Sequence, residues 1–312
     1  MTLFEEFKQS LKAIEAEEIF DLIIYRPIAF IFVKIVYGTN LTPNQTSVIA
    51  MIMGVTAGVA FGFGTITSTA LGGGFYLACN VLDCADGQIA RLKKNGTKVG
   101  RIVDGFIDYV VAIATFLGIA IGMTHMQGNS SLHFIGNVFE LNSYAYIWII
   151  TFLAGISSAH QAFYFDFYRN KYMEIVYGKV YSLEDELAEF EEEKKRIQRE
   201  PDKAGFMDNF LISIYLKYTK LQLTSQKKKV THADVKISPE RYKAKNKLLL
   251  RILSYTGSTT HISFCIIYAF INKMEIFLLV CILPLNIIML VIYFIQRRIY
   301  NKLISEAQAS AK

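Results

Sequence analysis

The chain has 312 residues, 53% apolar and 19% charged, with a mean hydropathy of +0.31 and a formal net charge of +6. Soluble domains run nearer roughly 45–50% apolar and about 25% charged, so the balance points to a membrane protein and argues against a nucleic-acid-binding one despite the positive charge. Four cysteines, Cys79, Cys84, Cys265 and Cys281, are too sparse for a disulfide scaffold and lack zinc-site spacing, so they read as small helix-packing residues.

The first 21 residues are mixed and acidic (Glu5, Glu6, Glu15, Glu17, Glu18) and lack the basic-then-apolar order of a secretory signal. Leu3, Phe4, Phe7, Leu11 and Ile14 recur at helical spacing, which predicts an amphipathic helix lying on a membrane surface. The apolar run 27–37 is too short to span and carries Lys34, so it is expected to continue that helix at the interface. Residues 1–43 thus form one interfacial segment.

Six stretches are long and apolar enough to span: 44–64, 67–92, 99–123, 144–165, 248–271 and 274–296. The predicted fold is therefore an all-α integral membrane protein, six transmembrane helices preceded by an amphipathic interfacial helix. With the N-terminus in the cytoplasm, the outer loops are 65–66, 124–143 and 272–273. Of the 33 Lys and Arg, only Lys273 falls in them, as the positive-inside rule requires. Tyr144, Tyr146 and Trp148 are expected at the outer interface. Transmembrane helices 1–4 occupy 44–166 and helices 5–6 occupy 248–296, with a cytoplasmic tail at 297–312.

The stretch 167–247 differs in kind and reads as a cytoplasmic insertion. Residues 183–199 run from Glu to Lys/Arg at helical spacing, a solvated helix; 206–223 is apolar on one face and suits a membrane surface; 227–229 is a basic cluster. None of these carries a chemical constellation, so the insertion is expected to modulate rather than perform catalysis.

Chemistry concentrates at the inner ends of the second and third spans. Steps of three and four place Asp83, Asp86, Gly87 and Ala90 on one helix face, and steps of four place Gly100, Asp104 and Asp108 on one face of the next. Eight residues separate Arg91 from Gly100, enough for the helices to pack antiparallel and for four carboxylates to share one cavity. Such a group needs countercharge, and hard oxygen ligands suit Mg²⁺, Mn²⁺ or Ca²⁺. Gly87, Ala90 and Gly100 leave room for a ligand, and Arg91 can meet a phosphate.

The pattern D-x2-D-G-x2-A-R-x8-G-x3-D-x3-D, from Asp83 to Asp108, resembles the signature of the CDP-alcohol phosphotransferases, and Leu41-Thr42-Pro43-Asn44 resembles that family's approach to its first transmembrane helix. The resemblance covers about 20–165. It implies transfer of a substituted phosphate from a CDP-linked donor, with CDP-diacylglycerol favoured, to an alcohol, releasing CMP and making phospholipid. It further implies that Asp83, Asp86 and Asp104 hold Mg²⁺ or Mn²⁺ on the donor diphosphate. Asp108 would act as the catalytic base with a share in metal binding. Asn44, Gly87, Ala90, Arg91 and Gly100 would line the CDP site, and the enzyme would be a homodimer. The expected setting is a bacterial inner membrane with the site facing the cytoplasm.

The acceptor is less legible. His160, Arg169 and Arg251 stand near inner helix ends and can seat an acceptor with its own phosphate, which is similar to the inositol-phosphate branch of the family. The alternative is a choline or ethanolamine phosphotransferase using CDP-choline or CDP-ethanolamine with diacylglycerol. A third reading, a membrane transporter with a carboxylate cluster, lacks the paired broken helices or repeats expected of one.

Overall fold

The computed structural model describes residues 2–11, 17–96, 98–125, 144–178, scattered positions between 187 and 216, and 238–310. Every regular element among them is helical. Helix α1 (Leu3–Ser10) starts at a capping box in which Thr2 and Glu5 satisfy each other's backbone N–H groups. It is not continuous with the next helix, as the sequence suggested, because Leu11 turns to extended backbone. A π-helical turn (Asp21–Tyr25) leads into α2 (Arg26–Val36), and α1 folds back antiparallel along it. Phe7 meets Phe30 at 5.3 Å between ring centroids, and Glu6 pairs with Lys34 at 2.7 Å.

Helices α3 (Pro43–Gly62), α4 (Ile66–Lys93) and α5 (Lys98–His125) form the centre of the molecule. Thr42 with Gln45, and Thr65 with Ser68, make capping boxes that fix where α3 and α4 begin. Helix α4 ends at Lys94, which takes the left-handed conformation at φ 53°. Small residues let α3 and α5 approach backbone to backbone: a Cβ on Gly58 would overlap the Ala114 carbonyl, and one on Gly122 the Phe61 carbonyl. A 28-residue helix is ~42 Å long, more than the ~30 Å hydrocarbon layer, so α4 and α5 extend past it.

Helix α6 (Ala145–Tyr177) runs well beyond the predicted end of the fourth span, to Gly178 in the left-handed region. Tyr144 and Trp148 are exposed at its start, but Tyr146 is buried in the core rather than set at an interface.

The two last predicted spans are each broken. In place of one helix over 248–271, α7 (Pro239–Leu253) ends in a 3₁₀ turn (Ser254–Thr256), and α8 (Ser258–Phe270) restarts after Gly257. Hydroxyls take up the freed carbonyls: Ser254 Oγ donates to Arg251, Thr256 Oγ1 to Leu253 and Thr260 Oγ1 to Ser254. In place of one helix over 274–296, α9 (Met274–Ile282) stops at Leu283, and α10 (Pro284–Ser310) follows. Pro284 has no N–H to give. Gln161 Nε2 instead donates to the Cys281 carbonyl at 2.8 Å and Asn286 Nδ2 to the Ile282 carbonyl at 2.8 Å.

Three helical stretches are long and apolar enough to cross a membrane: Pro43–Gly62, Val103–His125 and Met274–Glu306. Helix α4 has the length but carries Asp83, Asp86, Arg91 and Lys93. All four cysteines are free and buried. Within the insertion, Phe190, Ile212 and Leu216 are buried against Leu187 and against Val103 of α5, so these apolar residues face protein rather than a membrane. The cluster 227–229, Ile14 and most of the 124–143 loop lie outside the described residues.

Candidate active site

Helices α4 and α5 pack on α3 rather than along each other, as the spacing had suggested, and three of the expected carboxylates still meet near their connected ends. Asp83, Asp86 and Asp104 each offer an oxygen, all within 4.8 Å of one another. Asp86 is buried, Asp83 and Asp104 half-buried. Oxygens on one Mg²⁺ lie roughly 3 Å apart when adjacent and ~4.2 Å when opposite, so an ion held by all three would draw these side chains closer together. Three converging carboxylates match its hard-oxygen preference, and the residues present fit such an ion.

Asp108 lies one turn beyond Asp104, exposed and outside the close group, though near enough for its charge to bear on Asp83 and Asp86. Gly87, Ala90 and Gly100 are half-buried, and Asn44 is exposed at the start of α3. Arg91 folds back over Gly87, where a Cβ would lie 3.3 Å from its guanidinium nitrogens, and its Nε donates to the Ser10 carbonyl. The helix that carries the motif is thereby tied to the N-terminal segment.

Several residues at this end escaped the sequence reading. Ser47, one turn after Asn44, hydrogen-bonds through its hydroxyl to Asp86. Arg26 is buried and pairs with Glu17 at 2.6 Å, while Gln88 Nε2 donates to its carbonyl at 2.9 Å. Cys84 Sγ donates to Asp21 at 3.6 Å. Glu18 reaches the start of α8, where Thr259 N–H donates to it at 3.0 Å. Burial pushes the Glu18 carboxyl well up, helped by Asp21 and Asp166 and opposed by Arg169. Burial likewise raises Asp21, opposed by Arg26. A charge inside an apolar run, as at Arg26, was the available signal.

The acceptor candidates divide. Arg251 donates to the Glu17 carbonyl at 3.2 Å, and Arg169 pairs with Asp166 at 3.0 Å near Glu18. Both therefore gather on residues 17–26. His160 does not join them. It is exposed, and nine residues at about 100° each place it on the opposite face of α6 from Arg169.

Residues 40–164 match the sequence pattern of the family described as CDP-alcohol phosphatidyltransferase. Over this stretch the chain is similar to the CDP-alcohol phosphatidyltransferases. The match begins just before α3 and ends within α6, so it contains the whole carboxylate group. That family comprises transferases of phosphate-containing groups, and two of this chain's three apolar helices of spanning length lie within the matched stretch. A bifunctional IPC transferase and DIPP synthase of Thermococcus kodakarensis is 32% identical over 72 residues, 23% of this chain and 16% of that protein. The matched stretch is thus a small part of that relative's length.

Proposed function

We propose that this protein is a multi-pass membrane enzyme that transfers a phosphatidyl group from CDP-diacylglycerol to the hydroxyl of a polar alcohol, releasing CMP. The observation that carries this reading is the meeting of Asp83, Asp86 and Asp104 at the joined ends of α4 and α5, inside the segment that matches the family. The relative's name, a transferase and synthase, favours this over a transporter.

In this reading Asp83, Asp86 and Asp104 hold Mg²⁺ or Mn²⁺, with Ser47 orienting Asp86. When bound, the ion supplies countercharge to the donor diphosphate and to the leaving CMP. Gly87, Ala90 and Gly100 leave space for the nucleotide, beside Asn44 and Arg91. Asp108 accepts the proton of the acceptor hydroxyl. The hydroxyl oxygen bonds to the lipid-bearing phosphorus, and the bond from that phosphorus to the bridging oxygen breaks. CMP leaves with the electron pair. An acceptor with its own phosphate, such as inositol phosphate, is held by Arg169 and Arg251. Six spans, a homodimer and a bacterial inner membrane with the site on the cytoplasmic face complete the proposal.

The test uses purified protein with labelled CDP-diacylglycerol, Mg²⁺ and a panel of alcohols and alcohol phosphates, read by CMP release and mass spectrometry of the lipid product. CMP release that requires one acceptor and stops on chelation is expected. Full turnover with metal-stripped protein in EDTA, or no CMP release with any acceptor, would count against it.

A further inference from the structure

A cavity of about 310 Å³ opens between α6, α7 and α10. Two cations line it, Lys171 and Arg297, together with two carboxamides, Asn246 and Gln296, and with Tyr242 and Tyr300. Lys171 stands two residues from Arg169, about 200° around the helix, so the cavity faces away from the arginines that gather on residues 17–26. None of Asp83, Asp86 and Asp104 lines it.

The lining is that of a built site. Lys171 Nζ lies 3.6 Å from the centroid of the Tyr300 ring, which holds the ammonium in place without neutralising it. Among the described residues no carboxylate pairs with Lys171 or Arg297. Gln296 is 3% exposed, and its Oε1 has no hydrogen-bond partner. A buried acceptor left unmet is costly, so a donor belongs there. The cavity also sits at a boundary. The preceding turns of α10 present Leu290, Val291, Phe294 and Ile295 outward, and the polar run begins at Gln296. That is the depth of lipid phosphates, where basic pockets between helices take anionic head groups.

We infer that this cavity binds the head group of an anionic lipid bearing a free hydroxyl, its phosphate between Lys171 and Arg297 and its hydroxyl donating to Gln296 Oε1. The volume falls at the small end of ligand sites, roughly 300–1,000 Å³, which suits a head group without its chains. A soluble polyol phosphate shares this chemistry. The apolar surface beside the cavity favours the lipid.

Native mass spectrometry of the full chain in detergent, titrated with phosphatidylglycerol, phosphatidic acid and phosphatidylcholine, tests this. Phosphatidylglycerol should bind on the order of tenfold more tightly than phosphatidylcholine, and Lys171→Gln with Arg297→Gln should erase that margin. Gln296→Leu should bring phosphatidylglycerol down to the level of phosphatidic acid. Lys171→Arg with Arg297→Lys should keep binding, which separates lost charge from lost folding. Asp83→Asn should also keep it, which separates this site from the carboxylate site. Millimolar glycerol 3-phosphate should leave the lipid bound; displacement would assign the site to soluble phosphate esters. Equal binding of phosphatidylglycerol and phosphatidylcholine, or unchanged binding in the double Gln variant, would overturn the inference.

Discussion

The Ser47 hydroxyl on α3 hydrogen-bonds to the carboxylate of Asp86 on α4, so the first long helix of the central group also fixes one arm of the carboxylate group. A partner that orients a ligating carboxylate typically matters about 10–100-fold in metal affinity. Ser47→Ala is therefore expected to weaken Mn²⁺ binding by about tenfold while leaving the melting temperature nearly unchanged. Ser47→Thr should restore it. Electron paramagnetic resonance titration with Mn²⁺ reads the difference, and equal affinity in all three proteins would remove Ser47 from the site.

The Asp83, Asp86 and Asp104 grouping was legible because helical spacing and a short connection leave few other arrangements. Ser47 was not, because nothing in its own helix marks it: only the packing of α3 on α4 brings it to Asp86. The breaks at Gly257 and Leu283 were hidden for a related reason. Hydropathy reports composition, and both breaks occur in apolar runs whose freed carbonyls are met by distant side chains such as Gln161, or whose restarted helix is met by Glu18. The buried place of residues 17–26 was not legible either, because only the folded pairing of Arg26 with Glu17 makes buried charge tolerable there.

The α3–α5 contact sets a steric limit. A Cβ on Gly118 would overlap the Gly58 carbonyl oxygen and come within 3.0 Å of the Gly58 Cα. Overpacking costs about 1–3 kcal/mol where side chains can give way, and backbone cannot. Gly118→Val is expected to lower the melting temperature in detergent sharply, whereas Gly105→Ala, with nothing within 4 Å of the added atom, should not. Similar melting temperatures for the two variants would show that the helices part easily.

Glu18 gives the fold a pH dependence. Its carboxyl is raised well above the usual value of 4.5, chiefly by burial. The folded state therefore holds this proton more tightly than the unfolded chain. The stabilising contribution is complete below about pH 4.5 and is lost as pH rises through the folded-state value. Glu18→Gln keeps an acceptor for the Thr259 N–H and removes the titration. The melting temperature of the wild type should fall more between pH 5 and pH 8 than that of the variant. Parallel curves would mean that Glu18 does not titrate in this range.

Asp108 and Asp83 should separate by role. Asp108 is exposed, one turn past Asp104 and outside the group that lies within 4.8 Å, whereas Asp83 belongs to it. A base must stand beside the acceptor hydroxyl, and a metal ligand beside the donor diphosphate. Asp108→Asn keeps size and shape but accepts no proton, and a general base contributes typically ~10²–10⁴-fold in rate. Single-turnover CMP release should fall by that much in Asp108→Asn, while CDP-donor affinity changes only a few-fold, since Asp83, Asp86 and Asp104 remain. In Asp83→Asn, donor and Mn²⁺ affinity should fall together. Near-normal turnover in Asp108→Asn would remove its assignment as the base. Donor binding lost there as severely as in Asp83→Asn would make Asp108 chiefly a fourth metal ligand, drawn into the group when the ion binds.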